Sequence, residues 1–508
     1  MNNPTSSIFY RWIITATVMT ATLMQVLDTT IVNVSLPHMQ GSLSATPDEI
    51  SWVLTSYLIS SAIMMPLTGY FTDKLGQRNY LLISIAGFVA ASAFCGAAQS
   101  LDEIVLFRLL QGVFGAPLVP LSQAIMTNGF PENERGKAMA IWGMGVMVGP
   151  ILGPTLGGYL TEIASWRWNF YVNLPVGILC LIVAWRVIPD TPKKQRLMDW
   201  PGLGLISLGI GALQFLLDRG SQNDWFDSLS IRMAGLLTVV GFVGFIFHSL
   251  HSQRSVFDIR IFKDRNFTIS SIMLAMFGLG MYGAMVILPI MLENLLNYPV
   301  LTTGMVMAPR GMSALVSMMI VGRLGNKVDP RLIIGLGIVI SVIGMSIGAF
   351  YNLGVSTAWL VLPLILQGFG TGLIFVPVSM VAFSTLPASM RAEGAGLFSL
   401  LRTIGSSVGI SVTMTIYSRH AQMAWNQIGG SINPYNPALH AYLHSLNMNI
   451  HQPEAIALLT QQLGMQSQMV SLVNVFAFIS VSFLVMLPLI FLLKNNTNRG
   501  APVEIAME

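Results

Sequence analysis

Apolar residues run along the chain in fourteen long stretches, which short polar or Gly/Pro segments interrupt. Most of these stretches approach or exceed the roughly 20 residues that an α-helix needs to cross a bilayer. They lie near residues 13–36, 50–71, 79–98, 104–127, 137–160, 169–188, 201–217, 229–250, 267–292, 301–321, 332–352, 357–384, 394–418 and 470–493. The pattern predicts an all-α polytopic membrane protein.

The first stretch is predicted to remain as a membrane helix. It is longer than the apolar core of a signal peptide, contains an aspartate, and is not followed by a small-residue cleavage site. The stretches at 201–217 and 229–250 are the least well defined, and without that pair twelve spans remain with the same sidedness. We therefore divide the chain into a six-helix bundle at 1–188, two additional helices with cytoplasmic linkers at 189–266, and a second six-helix bundle at 267–508.

Basic residues indicate which loops face the cytoplasm, because Lys and Arg accumulate on that side of a membrane. With the N-terminus inside, most of the 26 Lys and Arg residues fall in inner segments. Both termini are therefore predicted to be cytoplasmic.

The same scheme makes one long hydrophilic connection, 419–469, external. It contains a turn-forming Asn/Pro cluster at 433–437 and then helical spacing over 453–469. A structureless loop of this length is uncommon in a compact protein. We therefore expect the connection to fold back on the protein or to bind a partner.

The composition excludes a series of soluble domains. Hydrophobic residues make up 53% of the chain and charged residues only 9%, against about 25% charged residues in a typical soluble domain. Cys95 and Cys180 lie inside apolar stretches, so the sequence offers neither a disulfide scaffold nor a zinc site. His440 and His444 have helical i, i+4 spacing, but no further ligands accompany them and no metal site is predicted.

A loop pattern recurs in the two halves of the chain. The first copy, between the second and third stretches, contains Gly69, Asp73, Lys74, Gly76 and Arg78. A degenerate second copy at 322–331 lies between the tenth and eleventh stretches. Weak internal symmetry of this kind is expected in secondary transporters, whose two bundles rock about a central site. The first copy resembles motif A of the major facilitator superfamily, and this resemblance implies a cytoplasmic gate.

Further motifs extend the resemblance along the whole chain, to the fourteen-helix drug:proton antiporters of the EmrB type. Residues 27–37 are similar to the first-helix signature of that branch, 108–112 to motif B, and 149–158 to motif C, the antiporter motif. Shorter matches occur at 166–170, 217–220, 224–226 and 265–267. In two departures, Gln77 replaces a usual basic residue of motif A, and Asn326 replaces its Asp in the second copy, which makes that copy a weaker candidate for a gate.

The resemblance implies a major facilitator fold with two six-helix bundles plus two additional helices. It also implies the export of amphipathic or hydrophobic drugs and toxic compounds across the bacterial inner membrane, in exchange for protons. EmrB-type exporters work with a periplasmic membrane-fusion adaptor and an outer-membrane channel. The energy source is then the proton gradient, and no resident cofactor and no nucleic-acid partner are expected.

Asp28 and Arg108 are the candidate proton-coupling residues. They lie in the outer halves of their stretches, about 12 Å and about 6 Å from the outer ends by the helical rise. An ionisable group inside a membrane is costly and by default marks an ion or substrate pathway. Because buried charges are usually paired, we expect Asp28 to contact Arg108 directly or through Gln111. The resemblance implies that Asp28 carries the proton and that Arg108 couples it to the substrate; a purely structural ion pair is the alternative.

Two arginines of the second half, Arg310 and Arg402, also lie inside apolar stretches. No acidic residue lies deep in the last six stretches, since Glu293 is near an outer end, so the proton site is predicted in the first half. The two arginines face a water-filled pathway, or else they snorkel or cap carbonyl groups. Together with Asn33 and Gln111 they form the predicted substrate pathway. The 32 Met and 26 Phe residues offer flexible, polarisable walls for apolar ligands, although most of them must face lipid or core.

Glycines recur every four residues along the fifth stretch, accompanied by two prolines. This antiporter motif comprises Gly145, Gly149, Pro150, Gly153, Pro154, Gly157 and Gly158. The spacing makes a small-residue ridge that lets another helix approach closely. We expect the ridge to seal the substrate cavity by packing one half on the other; ordinary tight helix packing is the alternative.

The sequence fits three other functions less well than a proton-driven exporter. A membrane enzyme acting on lipid-borne substrates would need a nucleophile–base pair, an H-E-x-x-H motif or a P-loop, and the sequence has none of these. A proton-coupled importer or exporter of one specific metabolite is the nearer alternative, and the resemblance to motif C disfavours import. A channel would need rings of like residues around an axis. The predicted function is therefore export, without an enzymatic reaction.

Overall fold

The computed structural model describes residues 8–131, 134–194, 197–252, 255–324, 328–433 and 435–494. These residues form helices and connecting turns, without a β-strand. They include 13 helices that are long and apolar enough to cross a membrane. The predicted all-α membrane fold is thus confirmed. Part of the second motif A-like loop, 325–327, and both chain ends lie outside the described residues.

In the described residues of the first half, ten helices combine into six membrane-length rods. They are α1 (Ile8–Ser42), α2 (Pro47–Ile50), α3 (Trp52–Met64), α4 (Thr68–Leu75), α5 (Gln77–Ala97), α6 (Leu101–Gly115), α7 (Leu118–Gly129), α8 (Arg135–Ile163), α9 (Trp168–Tyr171) and α10 (Asn173–Val187). A 3-10 turn, Met65–Leu67, joins α3 to α4, and α6 and α7 form the rod Leu101–Gly129. Pro66 and Pro117 lie at these two joints, where the regular hydrogen-bond ladder changes because proline has no N–H to donate.

The additional pair and the second half follow. The additional helices are α11 (Trp200–Arg219) and α12 (Leu229–His251). The second half consists of α13 (Arg265–Pro289), α14 (Val300–Leu324), α15 (Pro330–Gly348), α16 (Thr357–Ser384), α17 (Arg391–Gly429), α18 (Pro437–Ser445), α19 (Pro453–Leu484) and α20 (Leu487–Ile490). A π-helical turn, Ile290–Leu295, prolongs α13 at its C-terminal end.

The first predicted span is α1, which is long enough to cross a membrane at 35 residues. It is less apolar than the 13 spans noted above, because several threonines, Gln25 and Asp28 interrupt its apolar sequence. It packs against α7, α8 and α10 inside the first half. Gln25, Asp28 and most of these threonines are therefore buried in protein rather than exposed to lipid.

The additional helices lie at the seam between the two halves. α11 packs on α3 of the first half, and its Leu216 and Leu217 belong to an apolar cluster that Val408 of α17 also contacts. α11 and α12 meet at two glycines, where a Cβ on Gly241 would lie 2.5 Å from the Cα of Gly209. The outer face of α12 remains exposed along most of its length, as expected for a helix that contacts lipid.

Side-chain caps determine where several helices begin. Ser100, Asp199 and Asp264 each accept a backbone N–H from the first turn of α6, α11 and α13, respectively. Such caps satisfy N–H groups that have no partner within the helix. At α2, Thr46 and Glu49 form a reciprocal capping box, and the backbone and side-chain hydrogen bonds from Thr46 lower the pKa of Glu49.

The predicted external connection is mostly helical. α17 continues to Gly429 and α19 begins at Pro453, so both helices extend well beyond the apolar stretches at 394–418 and 470–493. An apolar stretch ends where the residues become polar. The helix itself can continue into the polar sequence if its backbone hydrogen bonds and its packing allow it. We call residues 419–469 the external hairpin.

The external hairpin has a small apolar core of its own. Leu439 and Leu443 of α18 pack against Ala455 and Leu459 of α19. Beside this core, an open groove of about 590 Å³ has a wall that includes the side chain of Trp425. The segment thus folds back on itself and still has an open apolar groove on its surface.

Candidate proton-coupling site and gate

Asp28 lies at the centre of a closed polar cluster in the first half. Its Oδ2 is 2.5 Å from Nη1 of Arg108, and the two side chains are 0% and 1% exposed. Its Oδ1 accepts hydrogen bonds from Nε2 of Gln111 at 2.8 Å and from Nδ2 of Asn173 at 3.2 Å. The contact between Asp28 and Arg108 that the sequence predicts is direct, and Gln111 joins it.

The guanidinium of Arg108 is held by several partners at once. Its Nε donates to the carbonyl of Val53 at 3.0 Å, and Nη1 also donates to Oε1 of Gln111 at 2.7 Å. Its plane lies over the ring of Tyr57, 4.2 Å from the ring centre. Arginine can make these hydrogen bonds and the stacking contact at the same time because its guanidinium is planar and has several donors. A lysine ammonium is a point charge and cannot do so.

The local sequence explains how three helices supply this cluster. Arg108 and Gln111 are three residues apart on α6, so they share one face of that helix. Asp28 lies in the interior of α1, and Asn173 is the first residue of α10. Because an uncompensated charge is very costly away from water, each ion requires the other. When a proton neutralises Asp28, Arg108 loses its counterion, so the two protonation states favour different arrangements of these helices.

The sequence interpretation missed Asn173 and the polar groups around it. Nδ2 of Asn173 also donates to Oγ of Ser92 at 3.1 Å, and Nε2 of Gln25 donates to the hydroxyl of Tyr57 at 3.0 Å. Asn173 stands near the start of an apolar stretch and shortly before a proline, where a polar residue ordinarily marks a helix end. The available signal was the presence of an amide within a membrane segment, which usually needs a partner.

Asn33 does not join the cluster. It is exposed, and its side chain donates only to the backbone carbonyl of Thr29, at 3.5 Å. It follows Asp28 by five residues, which places it on a different face of α1. Of the two predicted substrate-pathway residues in the first half, only Gln111 lies beside Asp28.

Arg310 and Arg402 have far fewer partners than Arg108. Nη2 of Arg310 donates to the backbone carbonyl of Met281 at 3.3 Å. Arg402 is half-buried, and within the described part of the chain its guanidinium has neither a hydrogen-bond nor an ion-pair partner. The structure therefore separates the two arginines of the second half from the Asp28 cluster.

The loop with the predicted gate motif packs against the second half. A Cβ on Gly69 would lie 2.6 Å from Cβ of Glu393, so only glycine allows α4 to approach the start of α17 this closely. Nearby, Nη1 of Arg391 donates to Oδ1 of Asn128 at 2.9 Å. These contacts join the two halves at the end that is predicted to face the cytoplasm.

The other residues of this motif make contacts within the first half. Nζ of Lys194 lies 3.1 Å from Oδ1 of Asp73, and the backbone N–H of Lys194 donates to the carbonyl of Asp73 at 2.7 Å. Lys74 lies over a tyrosine ring, and Arg78 donates to a backbone carbonyl of α10. Gly76 has a φ of 83°, a left-handed value that favours glycine. The linker that leads to the additional helices is thereby tied to the gate loop.

The glycine ridge of α8 packs against α1, within the same half. A Cβ on Gly153 would lie 2.0 Å from Oγ1 of Thr30, and a Cβ on Gly145, Gly149 or Gly157 would also contact α1. The expectation that this ridge packs one half on the other is wrong. A four-residue spacing identifies a small-residue face, but it does not identify the helix that lies against that face.

A different face of α8 contacts the second half. Trp142 stacks on Phe375 of α16 with ring centres 5.7 Å apart. A Cβ on Gly322 of α14, in the second copy of the loop motif, would lie 2.8 Å from Cβ of Ala140. α8 therefore connects the Asp28-bearing helix on one side with the second half on the other.

Comparisons with known proteins agree with this architecture. A family model described as Major Facilitator Superfamily matches residues 18–410. Multidrug export protein EmrB of Escherichia coli strain K12 is 33% identical over 96% of this chain and 96% of its own length. Fatty acid resistance protein FarB of Neisseria gonorrhoeae is 32% identical over 94% of this chain and 95% of its own length.

Solved structures share the fold at low identity. The proton:xylose symporter XylE bound to 6-bromo-6-deoxy-D-glucose has a TM-score of 0.60 at 13% identity, covering 93% of this chain and 94% of that chain. With the family match over most of the chain, this makes the protein a multi-pass membrane transporter and not an enzyme. The chain belongs to the major facilitator superfamily, as an EmrB-type multidrug exporter.

Proposed function

We propose that this exporter is a proton-coupled antiporter of amphipathic or hydrophobic compounds. The observation that supports the proposal is the buried carboxylate of Asp28, which is paired with Arg108 and also accepts hydrogen bonds from Gln111 and Asn173. A carboxylate inside a membrane is costly, so its presence by default marks an ion or substrate pathway, and a carboxylate can bind and release a proton.

Protonation of Asp28 changes what the surrounding helices can do. In the charged form, Asp28 and Arg108 neutralise each other and hold α1 against α6. A proton that arrives from the outer side removes this attraction and leaves Arg108 with its amide and carbonyl partners. The two states then prefer different packings of α1, α6 and α10. Release of the proton to the cytoplasm restores the ion pair and prepares the next cycle.

The inner gate is the element that this change must open. The contacts of Gly69 with Glu393 and of Arg391 with Asn128 join the halves at the predicted cytoplasmic end. Substrate entry from that side requires them to separate. In this proposal the described conformation is the one that is closed to the cytoplasm, and Lys194, through Asp73, makes the linker of the additional helices move with the gate loop.

Proton release from energised inverted vesicles tests the coupling. Addition of an exported compound should release protons from vesicles that contain the natural chain. Asp28→Asn should express and fold but lose this signal, because an amide can still pair with Arg108 but cannot release a proton at any working pH. The matched control is Asp102→Asn, at an exposed acid in the first turn of α6, which should behave like the natural chain.

Two results would count against the proposal. Full proton-driven export by Asp28→Asn would remove Asp28 from the mechanism. Export by the natural chain without substrate-dependent proton release would remove the proton as the driving ion.

The proposal includes the inner membrane as the location, together with a periplasmic membrane-fusion adaptor and an outer-membrane channel as partners. The external hairpin is the docking surface that we assign to the adaptor. Its groove is open, and Ile456 and Trp425 on the wall are 52% and 39% exposed. An apolar surface that stands outside the bilayer is normally covered by another molecule.

A charge placed in the groove tests this docking surface. Ile456→Asp should abolish co-purification of the adaptor while proton-coupled transport in vesicles remains intact. Tyr435→Asp is the control, because Tyr435 is 91% exposed on the same hairpin and does not line the groove. Unchanged co-purification of Ile456→Asp would place the adaptor contact elsewhere.

A further inference from the structure

Arg310 and Arg402 lie at the same depth of the second half. Arg310 is ten residues from the outer start of α14, which is about 15 Å, and Arg402 is eleven residues from the inner start of α17, which is about 16 Å. Since the apolar core of a bilayer is about 30 Å thick, both lie near its middle. At this depth an arginine side chain is too far from either surface to snorkel easily.

The same turn of α13 contacts both arginines. A Cβ on Gly278 would lie 2.8 Å from the backbone carbonyl oxygen of Arg402. Three residues further along α13, the carbonyl of Met281 accepts the hydrogen bond from Arg310. Three residues correspond to about 4.5 Å along a helix. The two arginines therefore flank α13 in one layer of the bundle.

Arg402 borders the space between the two halves. On α17, Gly405 packs against α13, whereas Gly396 and Thr403 face the first half, where both approach Met65. With 3.6 residues per turn, Arg402 falls between these two faces of the helix. Its half-buried side chain thus lies on the side of α17 between α13 and the first half rather than on the lipid face, and we call this boundary between the halves the central cleft.

Arg310 extends from α14 to α13 within the second half. α13 and α14 make no extensive direct contact in the described part of the chain, and each packs on α16 instead. The backbone of α14 is pressed against α16, since a Cβ on Gly368 would lie 1.9 Å from the carbonyl oxygen of Arg310. The side chain leaves from the flank of α14 and reaches Met281 of α13. This one hydrogen bond uses only one of the five N–H donors of a guanidinium.

The membrane-spanning part of the second half offers these arginines no carboxylate. Four acidic residues are described in this half, and all lie at helix ends or in the external hairpin: Glu293 in the outer π-helical turn, Asp329 at the inner start of α15, Glu393 at the inner start of α17, and Glu454 in the hairpin. Arg108, by contrast, is neutralised by Asp28. Two cations in one layer without a counterion are costly when the cleft closes and water leaves, and an anionic ligand removes that cost.

We propose that Arg310 and Arg402 form a binding subsite for the anionic group of amphipathic substrates, such as a carboxylate, sulfonate or phenolate. The subsite rests on the proposed export of amphipathic compounds and names the chemical class that the second half selects. Two guanidinium forks in one layer can both donate to a single anionic group, whose apolar body then lies along the cleft.

Two fluorescent probes with nearly the same aromatic scaffold test the subsite. Anilinonaphthalene sulfonate carries an anionic group, and N-phenylnaphthylamine lacks it. Both are titrated, without a proton gradient, against the full chain in nanodiscs of zwitterionic lipid, with empty discs subtracted. Arg402→Gln and Arg310→Gln should each weaken sulfonate binding about 10-fold or more, which is the loss of one charge-assisted hydrogen bond. Binding of the neutral probe should remain unchanged, which also shows that the variants are folded.

Matched variants sharpen the test. Arg323→Gln removes an exposed arginine at the inner end of α14 and should change neither probe. The double variant of Arg310 and Arg402 should lose less than the product of the two single losses if both hold the same anion. Unchanged sulfonate binding in both single variants, or equal weakening of both probes, would overturn the subsite. Because these titrations use no proton gradient, their failure is distinguishable from a failure of proton coupling in vesicles.

Discussion

At the scale of single residues, the environment of an arginine determines its role. Arg108 has a carboxylate, an amide, a carbonyl and an aromatic face, whereas Arg310 has one carbonyl. All three intramembrane arginines look alike in the sequence, since each interrupts an apolar stretch. What distinguishes them is the presence or absence of a carboxylate on another helix, and sequence spacing does not contain that information.

Replacing Arg108 by lysine should impair coupling although the charge is retained. Lysine keeps an attraction to Asp28 but loses the bond from Nε to Val53 and the stacking on Tyr57. Losing one hydrogen bond to a charged group costs about 1.5 to 3 kcal/mol, so proton-driven export should fall about 10-fold or more. The measurement is the initial rate of substrate-dependent proton release from inverted vesicles.

Arg167→Lys is the matched control for that prediction. Arg167 also donates to a backbone carbonyl, that of Ala98 at 2.8 Å, and also lies over an aromatic ring, that of Trp166. Arg167 is not one of the residues of the Asp28 cluster. A comparable loss of transport in both variants would show that stability rather than coupling is affected.

At the scale of elements, the apolar stretches predicted the helices well but not their full lengths or their partners. The same physical rule, burial of apolar surface in the bilayer, governs both the pattern and the spans. The outer parts of α17 and α19 were underestimated because a helix outside the bilayer carries no long apolar signal. The ridge of α8 was assigned to the wrong partner, and Asn173 was missed, because both depend on which helices meet in three dimensions.

The packing of α8 on α1 predicts a defined effect of Gly153→Leu. The new side chain would collide with Thr30, two residues from Asp28, and would push α1 away from α8. Overpacking of this kind typically costs about 1 to 3 kcal/mol. We expect a lower melting temperature in detergent and weaker proton-coupled export.

The control for this prediction is the neighbouring Gly158→Leu. A Cβ on Gly158 would lie 3.6 Å from the nearest atom, in Val34, which is ordinary contact. Leucine should therefore be tolerated better at this position. If Gly153→Leu is as stable and as active as Gly158→Leu, the close approach of α1 to α8 is not needed for either property.

At the scale of the whole molecule, the two halves differ in how their intramembrane charges are balanced. The first half holds a neutralised ion pair, and the membrane-spanning residues described in the second half hold arginines without a carboxylate. α8 packs on α1 with one face and on the second half with another, and in the proposed mechanism it passes movement at Asp28 to the second half. In the proposed mechanism, this division separates the residues that bind the driving proton from the residues that bind the exported compound.

The predicted sidedness can be tested with single cysteines. After removal of Cys95 and Cys180, a cysteine at Ser431 in the external hairpin should react with an impermeant maleimide added to intact cells. A cysteine at Lys193, in the exposed linker after α10, should react only after the membrane is opened. Equal labelling of both positions in intact cells would contradict the topology, and with it the cytoplasmic position of the gate.

The charge of the substrate should determine how strongly the membrane potential drives export. For any fixed number of protons moved inward, an exported monovalent anion adds one charge to the cycle, and its exit from a negative interior is favourable. Each charge contributes about 2.3 kcal/mol per 100 mV, or about 50-fold in the steady-state gradient. In proteoliposomes with an imposed potassium diffusion potential, transport of anilinonaphthalene sulfonate should therefore increase more steeply with the potential than transport of N-phenylnaphthylamine. Arg402→Gln should suppress transport of the sulfonate and spare that of the neutral probe. An equal response of the two probes would mean that the anionic group does not cross with its charge, and that the arginines of the second half do not carry it through the cleft.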